Sequence, residues 1–323
     1  MPKKYLIIKN QLDDFEKYYT AQMLHHGVDV WDIADILDDH RNILFREMNI
    51  WRNVHKKEWH KKIRQYDTVI IFEAYNIVPL ISLITKKSTR LILWKWNQAT
   101  PTAVKRISSL PKRCEIWTFN PNDAHEYTWH LNTQFYFPSM DISKSKNISS
   151  SSGISLTGNF SQIENISPSK NPSAFFVGKD KGRYHLLYDL GSKLSATGYV
   201  CDFHMLRDQK MEYPSDRYLT DEPMPYSDVL EHIGSCSIMI DLNQKEQDGL
   251  TVRVLEALFY EKKLITNNAS ITHEPFFSKN NIFVLNKQND QQLSDFLSLP
   301  YVKIDPKVKD QYTFDNWLNR FET

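Results

Sequence analysis

Residues 241–267 impose the tightest constraint on how this chain folds. They read as a strand, a polar loop closed by Gly249, an apolar helix and a second strand. The helix, expected from about Leu250 to Tyr260, carries Leu250, Val252, Val254, Leu255, Ala257, Leu258 and Phe259. Apolar side chains therefore point in nearly every direction, and a helix of that kind is buried. Only Arg253 and Glu256 interrupt it, three residues apart. Buried charge is costly unless it is paired or serves a ligand.

The same strand-and-helix alternation runs through both halves of the chain. In the first half, Tyr5–Ile8, Val28–Ile33, Thr68–Phe72, Arg90–Trp96, Cys114–Phe119 and Thr133–Phe137 read as strands. Helices are expected at Leu12–His26, Ile77–Thr85 and from Pro101, where proline suits a first turn. Residues 139–173 turn polar and rich in serine and proline, which marks a linker. The alternation then restarts, with strands at Ala174–Val177, Val200–His204, Ser237–Leu242, Lys263–Thr266 and Ile282–Leu285. Continuous apolar strands separated by helices predict parallel sheets covered on both faces. The expected organisation is an N-terminal Rossmann-like domain over 1–140, a linker over 141–173, a second such domain over 174–305, and a final helix over 306–323. Parallel sheets bind ligands beyond the carboxyl ends of their strands, so two such domains imply a cleft between them.

Composition narrows the classes. With 323 residues, 41% hydrophobic and 24% charged, the chain can build sizeable cores. Its net charge of +1 carries no nucleic-acid signature. Cys114, Cys201 and Cys236 are odd in number and far apart, without disulfide or zinc spacing, which suits a reducing compartment. No apolar run approaches the ~18 residues that span a bilayer. The expected setting is cytoplasmic. Residues 51–64 hold Arg52, Lys56, Lys57, Lys61, Lys62 and Arg64 against Glu58, with Trp51 and Trp59 interleaved. They read either as a helix lying on the inner face of an anionic membrane or as an ordinary exposed helix.

The chemistry-bearing residues cluster in the second half. The helix start after Gly249 offers backbone N–H groups and a positive dipole end to an anion. The rigid fork of Arg253 suits phosphate oxygens. Gly249, Leu250 and Thr251 supply N–H groups, and Thr251 also a hydroxyl. Gly178 with Lys179, Lys181 and Arg183 forms a second, cationic strand-to-helix turn, or else a solvated basic loop. Gln247 is a further polar candidate on the same loop. The alternative for Arg253 and Glu256 is an i,i+3 ion pair. In the first half, Glu73 ends a strand where carboxyl-end residues face a ligand, and it is a candidate general base, with Asp14 and Asp13 as competitors. Asp13-Asp14 and Asp38-Asp39 otherwise read as capping or surface carboxylates. His25, His26, His204 and His273 show no partner in the sequence, and no metal-ligand cluster at useful spacing is visible.

Residues Gly249–Asn268 resemble the donor-site helix of GT-B glycosyltransferases, above all bacterial enzymes that build lipopolysaccharide or capsular polysaccharide. Phe176–Arg183 is similar to the first donor-domain loop of that group. Leu93–Asn97 and Ile116–Asn120 are similar to stretches of its acceptor domain. Tyr312 to Trp317 is similar to its closing helix, which returns towards the N-terminal domain. The resemblance implies transfer of a hexose, galactose or galactofuranose among the candidates, from a UDP-sugar to a glycan or lipid-linked glycan. It implies Glu256 as acceptor of ribose hydrogen bonds, and no metal or cofactor. Retaining members commonly carry a glutamate eight residues before the ribose-binding one, and here that position is Asp248, which leaves the stereochemical class open. Two rivals stay open: a nucleotide-sugar epimerase of the same architecture, and a non-catalytic glycan- or nucleotide-binding protein.

Overall fold

Every residue of Thr68–Phe72 is buried, as a strand covered on both faces requires. A computed structural model of the chain describes residues 3–38, 58–138, 172–244, 247–285 and 290–322. The chain divides into two units, Met1–Thr133 and Gln134–Thr323.

The first unit runs β1 (Tyr5–Lys9), α1 (Asp14–His25), β2 (Asp29–Asp32), α2 (Ile33–Asp38), α3 (Glu58–Ile63), β3 (Thr68–Phe72), α4 (Val78–Ile84), β4 (Arg90–Lys95), α5 (Pro101–Ile107), β5 (Cys114–Thr118), α6 (Pro121–Tyr127) and β6 (His130–Leu131). Its strands pair in parallel in the order β2-β1-β3-β4-β5-β6. The centre is set in register by Ile7 opposite Ile70 and Ile70 opposite Ile92. Helix starts follow local chemistry. The Asp13 carboxylate accepts from the Glu16 N–H at 2.8 Å, and Thr100 caps α5 just before Pro101. The capping reading of Asp13 is thus the one observed. In α3, Trp59 and Ile63 turn into the unit's core, and Trp59 meets Trp31 edge-on at 6.2 Å. Of the two tryptophans that one of the alternative readings put at a membrane surface, Trp59 packs partly buried against the core. Residues 51–57, Asp39 and most of the expected linker lie outside the described residues. No described helix is long and apolar enough to cross a membrane.

The second unit runs β7 (Ser173–Lys179), α7 (Tyr184–Ala196), β8 (Val200–Leu206), β9 (Leu219–Thr220), α8 (Tyr226–Ser235), β10 (Ile238–Asp241), α9 (Val252–Phe259), β11 (Lys263–Thr266), β12 (Ile282–Val284), α10 (Asp290–Ser298), α11 (Pro306–Asp310) and α12 (Phe314–Asn319). Its parallel order is β12-β11-β10-β7-β8-β9. Leu187 and Leu190 of α7 pack with Phe176, Met205, Ile240 and Ile265 from four strands. The apolar helix α9 is shorter than its hydrophobic pattern. Thr251 keeps extended backbone angles and accepts from the Val254 N–H, so the helix begins after it and Leu250 stays in the loop. At the other end Glu261 takes a left-handed φ of 54°, and the Lys262 N–H returns to the Ala257 carbonyl at 2.9 Å.

Phe135–Phe137, read above as the last strand of the first half, belong to the second unit. Aromatic packing explains this. Phe135 meets Trp317 at 4.4 Å, Phe137 meets Phe314 at 5.0 Å and Tyr136 stacks on Phe259 at 5.5 Å. The backbone joins in, with the Tyr136 N–H donating to Tyr312 and the Phe314 N–H donating to Tyr136. Helix α12 therefore closes on the segment that opens its own unit. Trp317 is fully buried there, and Trp317→Ala is expected to cost about 3–5 kcal/mol of stability. Urea unfolding followed by circular dichroism checks this, and an unchanged midpoint would remove α12 from the core.

Candidate functional site

Each sheet has one point where strand order reverses, and a crevice opens there beyond the carboxyl ends. In the second unit it lies between β7 and β10, and Arg183 spans it. The Arg183 Nε donates to the Asp180 carbonyl at 3.0 Å, and its two terminal nitrogens donate to the carbonyls of Lys179 and Leu242. Its guanidinium also lies 5.7 Å from the Phe176 ring. A β-carbon at Gly178 would sit 3.3 Å from an Arg183 nitrogen and 3.5 Å from that ring, so glycine makes room for this clamp. Burial pulls the Arg183 pKa down, while Asp241 and Asp180 push it back up. Buried Asp180 accepts from the N–H groups of Arg183 and Tyr184 and from the Tyr213 hydroxyl, each at 2.8 Å, which ties the loop to the start of α7. Of the three cations expected in this loop, Arg183 is committed to carbonyls. Lys179 and Lys181 are exposed. Lys181 and Gly182 turn the loop with φ of 47° and 81°. Burial, then Arg183 and Lys179, lower the Lys181 pKa.

Across the same point, a lattice of asparagines shapes the loop before α9. Asn243 and Asn267 exchange bonds of 2.6 and 3.1 Å, and the Asn243 side chain donates to the Gln247 carbonyl at 2.8 Å. The Asp248 carbonyl accepts from Asn268 at 3.0 Å and Ser270 at 2.7 Å. Carbonyls of the loop are thereby held by side chains. Its N–H groups at Gly249, Leu250 and Thr251 meet no acceptor among the described residues. The Thr251 hydroxyl donates to buried Asp241 at 2.8 Å. Burial lifts the Asp241 carboxyl above its ordinary range, and Thr251 and Arg183 draw it back.

Arg253 and Glu256 pair with each other, Arg253 Nη1 donating to Glu256 Oε2. The second Glu256 oxygen accepts from the Tyr226 hydroxyl at 2.7 Å. Glu256 is fully buried, whereas the Arg253 side chain is 23% exposed. Burial raises the Glu256 carboxyl, and Arg253 and Tyr226 counter it; the carboxylate in turn raises Arg253 against its own burial. With both oxygens engaged, the geometry observed for Glu256 is that of a group orienting Arg253. Among the described residues no acceptor meets the other arm of the Arg253 fork.

In the first unit the reversal lies between β1 and β3. An open cavity of about 80 Å³ occupies it, lined by Lys9, Phe15, Tyr19, Glu73, Trp96 and Asn97 among others. Tyr19 and Trp96 meet edge-on at 5.7 Å, and Phe72 lies 5.5 Å from Trp96. Glu73 sits at the mouth with φ of 53°, a conformation bulky residues rarely adopt. Its Oε1 accepts from Lys95 and from the Asn97 N–H at 2.8 Å, and its Oε2 accepts from the Asn97 amide at 2.7 Å. Asp14 stands apart as an exposed first-turn carboxylate, 4.0 Å from Lys17. Lys9 is the residue that sequence reading overlooked. It is buried, and its ammonium donates to the carbonyls of Asn10 and Glu16 at 2.6 and 3.0 Å. Asp241, Tyr226 and the asparagines were missed as well. Only the Asn267-Asn268 pair, directly after a strand, carried a readable signal.

Among solved structures the chain matches AviGT4, a glycosyltransferase involved in avilamycin A biosynthesis, with a TM-score of 0.58 at 11% identity, over 99% of this chain and 96% of that one. A glycosyltransferase from Rickettsia africae matches at 0.56 and 12% identity, over 100% and 97%. Anabaena HepE, solved in complex with UDP, matches at 0.51 and 10% identity, over 99% and 98%. At these identities the likeness establishes the fold: two Rossmann-like domains of the GT-B architecture. No protein-family model matches the chain, and no curated protein matches its sequence.

Burial lowers the Lys9 pKa from 10.5 to about 8, against the pull of Glu16. Below pH 8 the folded state carries the full cost of a buried ammonium. Between pH 8 and 10.5 the unfolded chain binds more protons than the folded one, so the Lys9 contribution stabilises as pH rises through that window. Relative to Lys9→Met, the parent is expected to gain on the order of 2–3 kcal/mol between pH 7.5 and 10.5. Paired urea titrations measure the gap, and a gap independent of pH would show that Lys9 is not desolvated.

Proposed function

We propose that the chain is a glycosyltransferase that moves a hexose from a nucleotide sugar, a UDP-sugar in this reading, to a glycan or lipid-linked glycan of the bacterial surface. One observation carries the reading: at the strand reversal of the second unit, N–H groups at Gly249–Thr251, which meet no acceptor among the described residues, lie on the loop that leads into Arg253, and exposed Lys179 and Lys181 stand at and just beyond the end of the neighbouring strand. That combination suits a diphosphate. The fold is consistent with it, and HepE, a protein of this fold, was solved with UDP.

Glycosyl transfer needs negative charge stabilised on the departing diphosphate. Preset N–H groups and the Arg253 fork do this with little reorganisation, because the asparagine lattice and Glu256 already fix them. In this reading the protein's own cations supply the charge. The acceptor occupies the aromatic-lined cavity of the first unit. Apolar sugar faces rest on rings such as Trp96, and Glu73 takes the proton of the attacking hydroxyl. The three donors on Glu73 leave lone-pair capacity for that proton, since a carboxylate accepts about four bonds. Asp14, exposed on α1, is the weaker candidate for the same role.

Calorimetry with UDP, GDP, CDP and ADP fixes the donor class. For the nucleotide that binds, Arg253→Ala is expected to lose about 1.5–3 kcal/mol, roughly ten- to a hundredfold in affinity. Glu256→Gln, which loosens the same guanidinium, is expected to weaken binding in the same direction with the fold intact by circular dichroism. If both variants bind as tightly as the parent, the site lies elsewhere. Donor turnover that needs no added glycan would point to an epimerase, and binding without turnover under any acceptor to a non-catalytic role.

A further inference from the structure

Among the described residues, three metal-competent side chains converge at one place, remote in sequence from the donor loop. Asp202 and His204 are two residues apart on β8, so they share one face of the sheet. His232, in the last turn of α8, covers that face. His204, read above as lacking a partner, therefore has one: its Nε2 lies 2.7 Å from Asp202 Oδ1, and His232 Nδ1 lies 2.5 Å from Asp202 Oδ2. The His232 ring stacks on buried Phe175, 5.1 Å between centroids and 11° between planes, which fixes its orientation. Phe175 is itself the strand neighbour of Asp202.

We propose that Asp202, His204 and His232 form a binding site for a divalent transition-metal ion, with zinc as its representative. All three ligand atoms lie within 4.8 Å of one another. Tetrahedral zinc, with bonds near 2.0–2.2 Å, needs ligand atoms about 3.4 Å apart. To reach that spacing the two short pairs open and the two ring nitrogens approach each other. Each ring nitrogen that now faces the carboxylate presents its lone pair to the ion once its proton moves to the other nitrogen or is released. Two imidazoles and one carboxylate are a ligand set that zinc accepts with a further position left to water. The side chains are 30–33% exposed, so solvent reaches that position. The ion ties α8 to the sheet. This site is independent of the donor-site reading and stands whether or not that reading holds.

The test uses the full chain, stripped with chelator and then freed of it. Titration with zinc by calorimetry is expected to give one saturable equivalent and a higher thermal midpoint. His232→Ala and, separately, Asp202→Asn are expected to lose at least tenfold in affinity, whereas His25→Ala, on α1, is expected to change nothing. Cobalt(II) added to the unmodified protein is expected to give the visible absorption of a low-coordinate site with nitrogen ligands, which decides the matter even if a variant fails to fold. Absence of saturable binding and of that absorption in the parent would overturn the proposal. So would folded His232→Ala and Asp202→Asn proteins that bind zinc as tightly as the parent.

Discussion

A carboxylate sits at zero exposure inside the second unit, and the arrangement of the candidate donor site depends on how its charge is met. Glu256 lies on α9, whose residues apart from it and Arg253 are apolar. Leaving such a group unpaired would cost several kcal/mol, and removing one partner of a buried pair typically costs about 3–5 kcal/mol. Two donors meet it from different elements: Arg253 one turn earlier on the same helix, and Tyr226 from the start of α8. Satisfying the carboxylate fixes the guanidinium at the mouth of the loop with one arm engaged. An arginine held this way loses less entropy when it receives an anion than one free on the surface.

The two strand orders place the rest. Each sheet grows outward in one direction, returns, and grows in the other, and the gap beyond the two innermost carboxyl ends is not covered by a connection. In the second unit that gap holds the Arg183 clamp, the asparagine lattice and the loop into α9. In the first it holds Lys9, Glu73 and the aromatic cavity. Buried Asp180 in one unit and buried Lys9 in the other are hydrogen-bonded to neighbours, which confers rigidity at a place where the backbone itself is irregular.

Much of this architecture was legible because buried parallel strands write an unambiguous signal. Thr68–Phe72 and Lys263–Thr266 appear where the apolar runs lie. The site was legible in part. Arg253 and Glu256 stood out as charges in an apolar helix, and the geometry shows the ion pair that was one of the two readings of them. What stayed hidden were partners distant in sequence. Tyr226 is thirty residues from Glu256, and the bond from Arg183 to Leu242 spans fifty-nine. Arg183 looked like a ligand cation because pattern reading cannot see the three carbonyls around it. The second unit begins before the polar linker for a similar reason. Phe135–Phe137 look like one more strand until the C-terminal aromatics arrive to cover them.

Among the described residues no acceptor meets the N–H groups at 249–251, and in the proposed reading a bound anion occupies them. Amide hydrogen exchange of the full chain, with and without UDP, reads this directly. Slowed exchange at residues 249–254, together with 178–183 and without change along β8, is the expected result. Saturating UDP that leaves 249–254 exchanging at the free rate, or protects only other segments, would contradict a diphosphate site at this strand reversal.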